Sequence, residues 1–222
     1  MPLEALQPYL LCVPHPGVLQ PGSPLLAPVP PLDWRELFGN DHPVEIDVGF
    51  GKGLFLLTQG QARPDTNFLG IEIERKYALL TATRIARQNL PNVKLACTDA
   101  RWFLKERVAE GSVAAVHVYF PDPWWKTRHR KRKLLTPAFA DQSVRVLKAQ
   151  GRLHLASDVA DYFKETLSIL NQQTTLMALP APASDMDSLT NFGRKYRREG
   201  RAIYRAVYEK IQTKVCDAIQ CQ

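Results

Sequence analysis

A glycine-rich turn and three carboxylates in the first half of the chain have the spacing of a nucleotide-like ligand site. The turn, Asp47-Val-Gly-Phe-Gly-Lys-Gly53, follows a short apolar run, and its glycines would let the backbone approach a ligand closely. Glu72 ends the next run, about twenty residues later, where a carboxylate can accept hydrogen bonds from ribose hydroxyls. Asp99 follows the third run. Taken singly, the glycines could form a turn without a ligand, Glu72 could be a carboxylate at a helix start, and Asp99 could be a helix N-cap. Together they favour a cofactor site.

The sign of the charge separates two cofactors that such a site could hold. A dinucleotide carries a pyrophosphate, which a carboxylate at Asp47 beside the glycine turn would repel. S-adenosylmethionine carries no phosphate, and its sulfonium and amino groups favour nearby carboxylates. The residues therefore favour S-adenosylmethionine, with NAD as the alternative.

A second constellation follows the most apolar run of the chain. Phe120-Pro-Asp-Pro-Trp-Trp-Lys126 places Asp122 between two prolines that restrict its backbone, and its tryptophans could stack on bases. A turn without function is the simpler interpretation. Residues 126–133 hold six cations in eight positions, a density that fits phosphates better than solvent, and 194–198 form a second basic cluster.

Alternating strands and helices are predicted to position these residues. Right-handed βαβ crossovers would build an α/β, doubly wound, mainly parallel sheet with helices on both faces, and ligands bind such sheets beyond the carboxyl ends of the strands. A helix is expected to begin at Thr136-Pro137, with Leu147 on its apolar face and Gly151 as its C-cap. Strands are predicted at 44–48, 67–73, 93–97, 113–120, 152–156 and 202–208, and further helices at 75–89 and around 163–170.

Composition sets the remaining expectations. The first 43 residues hold ten of the seventeen prolines and predict an extended or loosely docked arm over 1–43, with a short helix near 32–38, before a domain over 44–212 and a tail over 213–222. A net charge of +7 favours an anionic partner, with nucleic acid ahead of a membrane surface. Four cysteines without metal-like spacing indicate a reducing cytoplasm and no metal site.

The motifs together resemble the bacterial tRNA (guanine-N7)-methyltransferase family. The resemblance runs from about Val44 to Lys210 and implies a class I methyltransferase fold, Rossmann-like with seven strands, that transfers a methyl group from S-adenosylmethionine to guanine 46 of tRNA. It is carried by Asp47-Val-Gly-Phe-Gly-Lys-Gly, Gly70-Ile-Glu-Ile, Thr98-Asp-Ala, Phe120-Pro-Asp-Pro-Trp with its basic tail, Ala156-Ser-Asp and Thr190-Asn-Phe.

The resemblance also implies roles for individual residues. Asp122 is implied to be catalytic, and Gly193 departs from the family, which usually has glutamate there. Asp158 has the alternative interpretation of a helix N-cap, and His129 that of an ordinary surface residue. The implied cofactor contacts are Asp47, Gly49, Gly51, Gly53, Glu72, Asp99 and Asp122, and the implied substrate contacts are Lys126, His129, Arg132, Asp158, Thr190, Asn191, Phe192 and Gly193.

Three other functions are compatible with parts of this pattern. The sheet could serve an NAD-dependent oxidoreductase, or a non-enzymatic RNA-binding protein that retains a cofactor fold. Within methyltransferases, an enzyme acting on an exocyclic amine has a related motif after its fourth strand, although the order Pro-Asp-Pro-Trp favours the N7 family. The sequence leaves open a monomer or a homodimer and the path of the RNA.

Overall fold

Strands and helices alternate along the chain in the computed structural model, which describes residues 2–13, 30–123, 133–180 and 190–212. A 3-10 helix at Leu3–Tyr9 precedes the first strand. The strands are β1 (Leu10–Leu11), β2 (Val44–Val48), β3 (Asn67–Glu72), β4 (Val93–Cys97), β5 (Val113–Tyr119), β6 (Leu147–Ser157), β7 (Leu176–Leu179) and β8 (Tyr204–Lys210). The helices are α1 (Trp34–Phe38), α2 (Leu54–Ala62), α3 (Arg75–Gln88), α4 (Ala100–Arg107), α5 (Pro137–Val146), α6 (Ala160–Leu170) and α7 (Asn191–Arg198).

The strands form one sheet in the order β1-β4-β3-β2-β5-β6-β8-β7. Pairing is parallel from β1 to β6, whereas β8 runs antiparallel to both β6 and β7. The predicted α/β, mainly parallel fold is therefore confirmed. The described ranges contain eight strands rather than seven, because the two-residue strand β1 extends one edge of the sheet. No helix within the described ranges has both the length and the apolar composition that a bilayer crossing requires.

The described start of the proline-rich segment packs against this edge. Leu6 in the 3-10 helix is only 2% exposed and belongs to the cluster around α3 and β4. The Lys94 ammonium donates a 2.7 Å hydrogen bond to the Pro8 carbonyl oxygen, and β1 pairs with β4. Backbone pairing and one buried leucine thus close the exposed side of β4, which would otherwise be an open strand edge. The short helix expected near 32–38 is confirmed as α1.

The junction between α5 and β6 differs from the prediction. Thr136 caps α5 as expected, but α5 ends at Val146, and Leu147 begins β6 rather than lying on the helix face. Gln150 has a φ of +63°, and a β-carbon at Gly151 would lie 2.8 Å from the Lys148 carbonyl oxygen. The expected role of Gly151 as a helix C-cap is therefore wrong. This glycine lets the backbone fold closely on itself within the irregular start of a strand.

The two faces of the sheet differ in polarity. Val44, Ile46 and Val48 point into the apolar cluster shared with α4, α5 and α6. Because side chains alternate along a strand, Glu45 and Asp47 point to the opposite face, which α2 covers. Both carboxylates are buried. An ionised carboxylate on the α2 face therefore needs hydrogen-bonding or positively charged partners, whereas the apolar side chains on the other face need none.

Glu45 finds those partners in a buried polar network. Its carboxylate lies 2.9 Å from His117 Nε2 and accepts a 3.1 Å hydrogen bond from Arg63 at the end of α2. His117 Nδ1 lies 2.9 Å from the Tyr119 hydroxyl, and its ring stacks on His154 with centroids 4.7 Å apart. Because an ionised carboxylate can only accept, the His117 Nε2–H donates to Glu45.

The contacts within the network shift the pKa values of Glu45 and His154. Burial alone would raise the pKa of Glu45, but hydrogen bonds and positive charge from His117 and Arg63 outweigh burial and lower the pKa to about 2. Burial and the neighbouring His117 lower the pKa of His154 to about 3, so this second imidazole is neutral at physiological pH. One anion is thus held among neutral and cationic partners under the sheet.

Replacing Glu45 with glutamine should lower the free energy of unfolding by about 2–3 kcal/mol near pH 7, because His117 and Arg63 lose a charged acceptor in a buried site. The expected loss is below that of a fully buried ion pair, since the Arg63 side chain is 38% exposed. Urea unfolding of both proteins measures the difference. Asp65→Asn, which removes an exposed carboxylate in the turn after α2, is the control and should change little.

The same substitution has a pH signature. Because folding lowers the pKa of Glu45 from 4.5 to about 2, its contribution is fully present above pH 4.5 and is lost as pH falls towards 2. Wild type should therefore lose more stability than Glu45→Gln between about pH 5 and about pH 3. Equal losses in the two proteins would contradict the assignment of this charge to Glu45.

Candidate active site

The glycine turn between β2 and α2 leaves open space above its backbone. Gly49, Gly51 and Gly53 have φ values of +77°, +53° and +72°, a region that residues with side chains rarely adopt. A β-carbon at Gly49 or Gly51 would meet nothing within 4 Å, whereas one at Gly53 would lie 2.2 Å from the Thr81 methyl group. Two glycines thus shape an open turn, and the third lets α2 pack closely on α3.

Two buried carboxylates lie beneath this turn. Asp47 and Glu72 end adjacent parallel strands and are 3% and 8% exposed. Glu72 accepts backbone hydrogen bonds from Gly51 at 2.9 Å and from Glu74 at 3.0 Å, so its helix-start interpretation is also correct. Asp47 Oδ2 is buried and has no hydrogen-bond partner. The first two predicted acids are therefore brought together, and one of them lacks a partner.

The electrostatics of the pair favour a cationic ligand. Burial, and then the neighbouring charge of Glu72, raise the pKa of Asp47 to about 8. Burial also raises the pKa of Glu72, although its backbone hydrogen bonds oppose this shift. A phosphate would add negative charge where burial already disfavours the ionised form of Asp47, whereas a sulfonium or ammonium would offset the charge of the ionised acid. The residues present thus fit S-adenosylmethionine better than a dinucleotide.

Asp99 lies one strand further along the same edge and is already engaged. It caps α4 by accepting the Arg101 backbone N–H at 2.8 Å, which confirms the helix-cap interpretation. Arg101 Nε also contacts both carboxylate oxygens, at 3.0 Å and 3.1 Å. Burial would raise the pKa of Asp99, but the hydrogen bonds from Arg101 outweigh it and lower the pKa. Sequence reasoning missed Arg101, whose position two residues after an acid gave no distinctive signal.

A strained aromatic residue marks the end of β5. Phe120 has a φ of +53°, unusual for a bulky side chain, and its N–H donates a 2.8 Å hydrogen bond to the Ala156 carbonyl oxygen. The turn that follows presents Asp122 to solvent. Its charge contributes to the raised pKa of Tyr162, after the larger effects of burial and of the charge on Glu165. The predicted acid is thus at the same edge of the sheet, on an exposed turn.

Aromatic rings from α7 close over this turn. Phe120 contacts Phe192 and Tyr196, with ring centroids 6.2 Å and 5.4 Å apart. Phe192 stacks on Tyr196 at 5.9 Å and remains 50% exposed, so one ring face is available to a ligand. Sequence reasoning placed Tyr196 in a basic cluster. Its spacing of four residues from Phe192 was the helical signal that could have identified the pair.

The remaining described substrate residues lie around α7. Thr190 caps the helix by accepting the Gly193 N–H at 2.9 Å. Asp158 pairs with Arg201 at 3.2 Å and hydrogen-bonds Tyr196. The N-cap alternative for Asp158 is wrong, because Val159 holds that position without a side-chain cap. The predicted residues Lys126, His129 and Arg132, and the tryptophans before them, lie outside the described residues.

Comparisons with known proteins place the chain in a family. The family model described as "Putative methyltransferase" matches residues 41–206. A tRNA (guanine-N(7)-)-methyltransferase of Rhodopirellula baltica is 43% identical over 190 residues, covering 81% of this chain and 70% of the relative. One from Streptococcus gordonii is 34% identical over 177 residues, covering 78% and 83%.

A solved structure agrees on the fold. The 16S rRNA methyltransferase KamB superposes with a TM-score of 0.60 at 14% identity, over 81% of this chain and 93% of that one. At that identity the likeness concerns the fold alone, while the family is carried by the two relatives and the family model. The chain belongs to the tRNA (guanine-N7)-methyltransferase family, whose members use S-adenosylmethionine.

Proposed function

We propose that the chain transfers a methyl group from S-adenosylmethionine to N7 of a guanine in tRNA, at position 46 by the family resemblance. One juxtaposition carries the proposal: the partnerless, buried carboxylate of Asp47 lies under an open glycine turn at the same sheet edge as the exposed ring of Phe192. A buried anion suits a cationic methyl donor, and an exposed aromatic face suits a base. The names of the relatives support tRNA and the N7 position.

The cofactor side of the proposal rests on the turn and its acids. S-adenosylmethionine supplies an electrophilic methyl group on a sulfonium. Asp47 and Glu72 offset positive charge there, while Asp99 takes part only if Arg101 shares its carboxylate oxygens. The proposed cofactor contacts are Asp47, Gly49, Gly51, Gly53, Glu72, Asp99 and Asp122.

Alignment is the main task on the guanine side. N7 already carries a lone pair, so no general base is needed, and a proximity effect can contribute up to about 7–11 kcal/mol. Asp122, presented on the turn after Phe120, holds the guanine and favours the positive charge that develops on it. Phe192 offers its exposed face to the base. The basic residues Lys126, His129 and Arg132 are proposed to contact the RNA.

The departure at Gly193 changes which group accepts hydrogen bonds from guanine. A glycine offers no carboxylate at this position of α7. Asp158 lies against Tyr196, which stacks on Phe192, and is the described acid connected to that ring. Asp158 is therefore proposed to accept from the guanine N–H groups, with Thr190 and Asn191 completing the contact at the start of the helix.

The product tests the function directly. With S-adenosylmethionine, the purified protein should methylate an unmodified tRNA transcript at guanine 46, and borohydride reduction followed by aniline should cleave the RNA there. A transcript with adenine at that position is the control and should stay intact. Cleavage at another guanine would refute the position, and no methyl incorporation into tRNA would refute the function.

Asp122→Ala should reduce kcat by about 100-fold while changing the Kd of S-adenosylhomocysteine by less than about 3-fold, because the carboxylate acts on charge that develops during transfer. Rapid-quench methylation and calorimetry measure the two quantities. Asp161→Ala removes another exposed acid, in the first turn of α6, and serves as the matched control. Full activity in Asp122→Ala would remove this residue from the mechanism.

Cofactor binding should depend on the protonation of Asp47. Because the pKa of Asp47 is raised to about 8, the free protein carries it protonated at neutral pH, and a cation binds better to the ionised form. The affinity for S-adenosylhomocysteine, whose amino group is cationic, should therefore rise between about pH 6 and about pH 8 with release of a proton. The raised pKa also means that the ligand-free protein loses stability as pH rises towards 8.

Calorimetry in two buffers of different ionisation enthalpy measures that proton release. Asp47→Asn has the same shape but no ionisable group, so its affinity should be weaker above pH 8 and nearly independent of pH. An identical proton release in wild type and Asp47→Asn would assign the titration to another residue.

A further inference from the structure

A groove outside the cofactor turn joins three helices. It has a volume of 360 Å³ and lies between α2, α3 and the start of α7. Leu54 and Leu57 of α2 contribute its apolar surface. Since Leu54 is the first residue of α2 and directly follows the glycine turn, the groove begins beside the cofactor site and extends along the outer side of the helix.

The polar lining of the groove suits an anionic partner. Thr58 and Gln61 from α2, Gln88 from α3 and Asn191 from α7 provide hydroxyl and amide groups, and Arg84 and Arg194 provide positive charge. Among the described residues, no carboxylate lines the groove. This combination of two guanidinium groups with uncharged donors is typical of contacts to phosphate and sugar oxygens rather than to an acidic or apolar surface.

Arg84 is held in place from the cofactor side. Its side chain is exposed, and Nη1 donates a 2.9 Å hydrogen bond to the Lys52 carbonyl oxygen in the glycine turn. A guanidinium has five N–H donors, so one backbone bond restricts its direction and leaves capacity for a ligand. The positive charge at the α3 wall is thus tied to the same turn that shapes the cofactor site.

The other wall leads directly to the proposed guanine site. Asn191 lines the groove, and the next residue is Phe192, whose ring contacts Phe120. Phe120 in turn stands two residues before Asp122. If a base of a nucleic acid stacked on the Phe192 ring, the neighbouring nucleotides of the same strand would therefore lie in this groove.

We infer that the groove between α2, α3 and α7 receives the sugar-phosphate backbone of the nucleotides that flank the target guanine. The inference rests on the proposed function and adds the surface that holds the RNA next to the reacting base. It assigns Arg84 and Gln88 to RNA contact.

Paired substitutions on one helix test the groove. Arg84→Gln should raise the Kd of tRNA about 5-fold and reduce the slope of log Kd against log salt by about 0.9, as expected for one lost phosphate contact. Arg87→Gln removes the same charge from an exposed position of α3 that does not line the groove, and should change neither value. Binding is measured with S-adenosylhomocysteine present, so no turnover is required.

A second measurement locates the RNA. A photocrosslinking phenylalanine analogue at Gln88 should label nucleotides adjacent to the target guanine, while the same group at the exposed Gln172, in the turn after α6, should not. Equal effects of Arg84→Gln and Arg87→Gln would show a general positive field and overturn the inference. Crosslinks from position 88 that were absent or scattered over the RNA would also overturn the inference.

The experiments distinguish failure of the proposed methyl transfer from failure of the proposed RNA groove. If wild type binds tRNA but transfers no methyl group, and the protein with the photocrosslinking residue at position 88 labels that tRNA at one site, the proposed reaction fails and the groove stands. If wild type methylates guanine normally and Arg84→Gln binds tRNA as wild type does, with the Arg87→Gln control unchanged, the groove fails and the reaction stands.

Discussion

The site depends on the burial of two acidic side chains near the carboxyl ends of neighbouring strands. Asp47 and Glu72 lie beneath one glycine turn, and only Glu72 accepts backbone hydrogen bonds, from Gly51 in the turn and from Glu74 just before α3. The protein therefore provides no hydrogen bond to compensate for the desolvation of Asp47. Burying an ionised Asp47 is costly unless a proton or a cation is bound to it. A site built this way has low affinity for anions and a free-energy gain on binding a cation, which is the selectivity a sulfonium donor requires.

Comparison of two acids on β2 separates a structural role from a functional one. Glu45 and Asp47 are two residues apart on the same face of the sheet, and both are buried. Glu45 has Arg63 and His117 as partners and a pKa lowered to about 2, whereas Asp47 has an oxygen without a partner and a pKa raised to about 8. Although both acids are buried, their pKa values shift in opposite directions, because only Glu45 has hydrogen-bonding and positively charged partners.

Sequence predicted the parts of the fold that local physics determines. Apolar runs gave the parallel strands, and Thr136 gave a helix start, because these signals need no distant partner. Gly151 was misassigned because a glycine after a helix and a glycine in an irregular strand look alike without the neighbouring strand. Arg101 beside Asp99 and the docking of Leu6 were missed for a related reason: each depends on side-chain direction or on contacts far along the chain.

The start of α7 shows how the site accommodates an altered residue. In a Thr-x-x-Glu sequence the glutamate can reach back to the N-cap N–H, so Gly193 removes a capping contact as well as a carboxylate. The helix still begins there because Thr190 accepts the Gly193 N–H, and Phe192 and Tyr196 anchor its first turns on Phe120. Aromatic packing on Phe120 therefore helps to position the helix. Under the proposed function, the acceptor for guanine is then Asp158 at the end of β6, whose carboxylate is held by Arg201 and Tyr196.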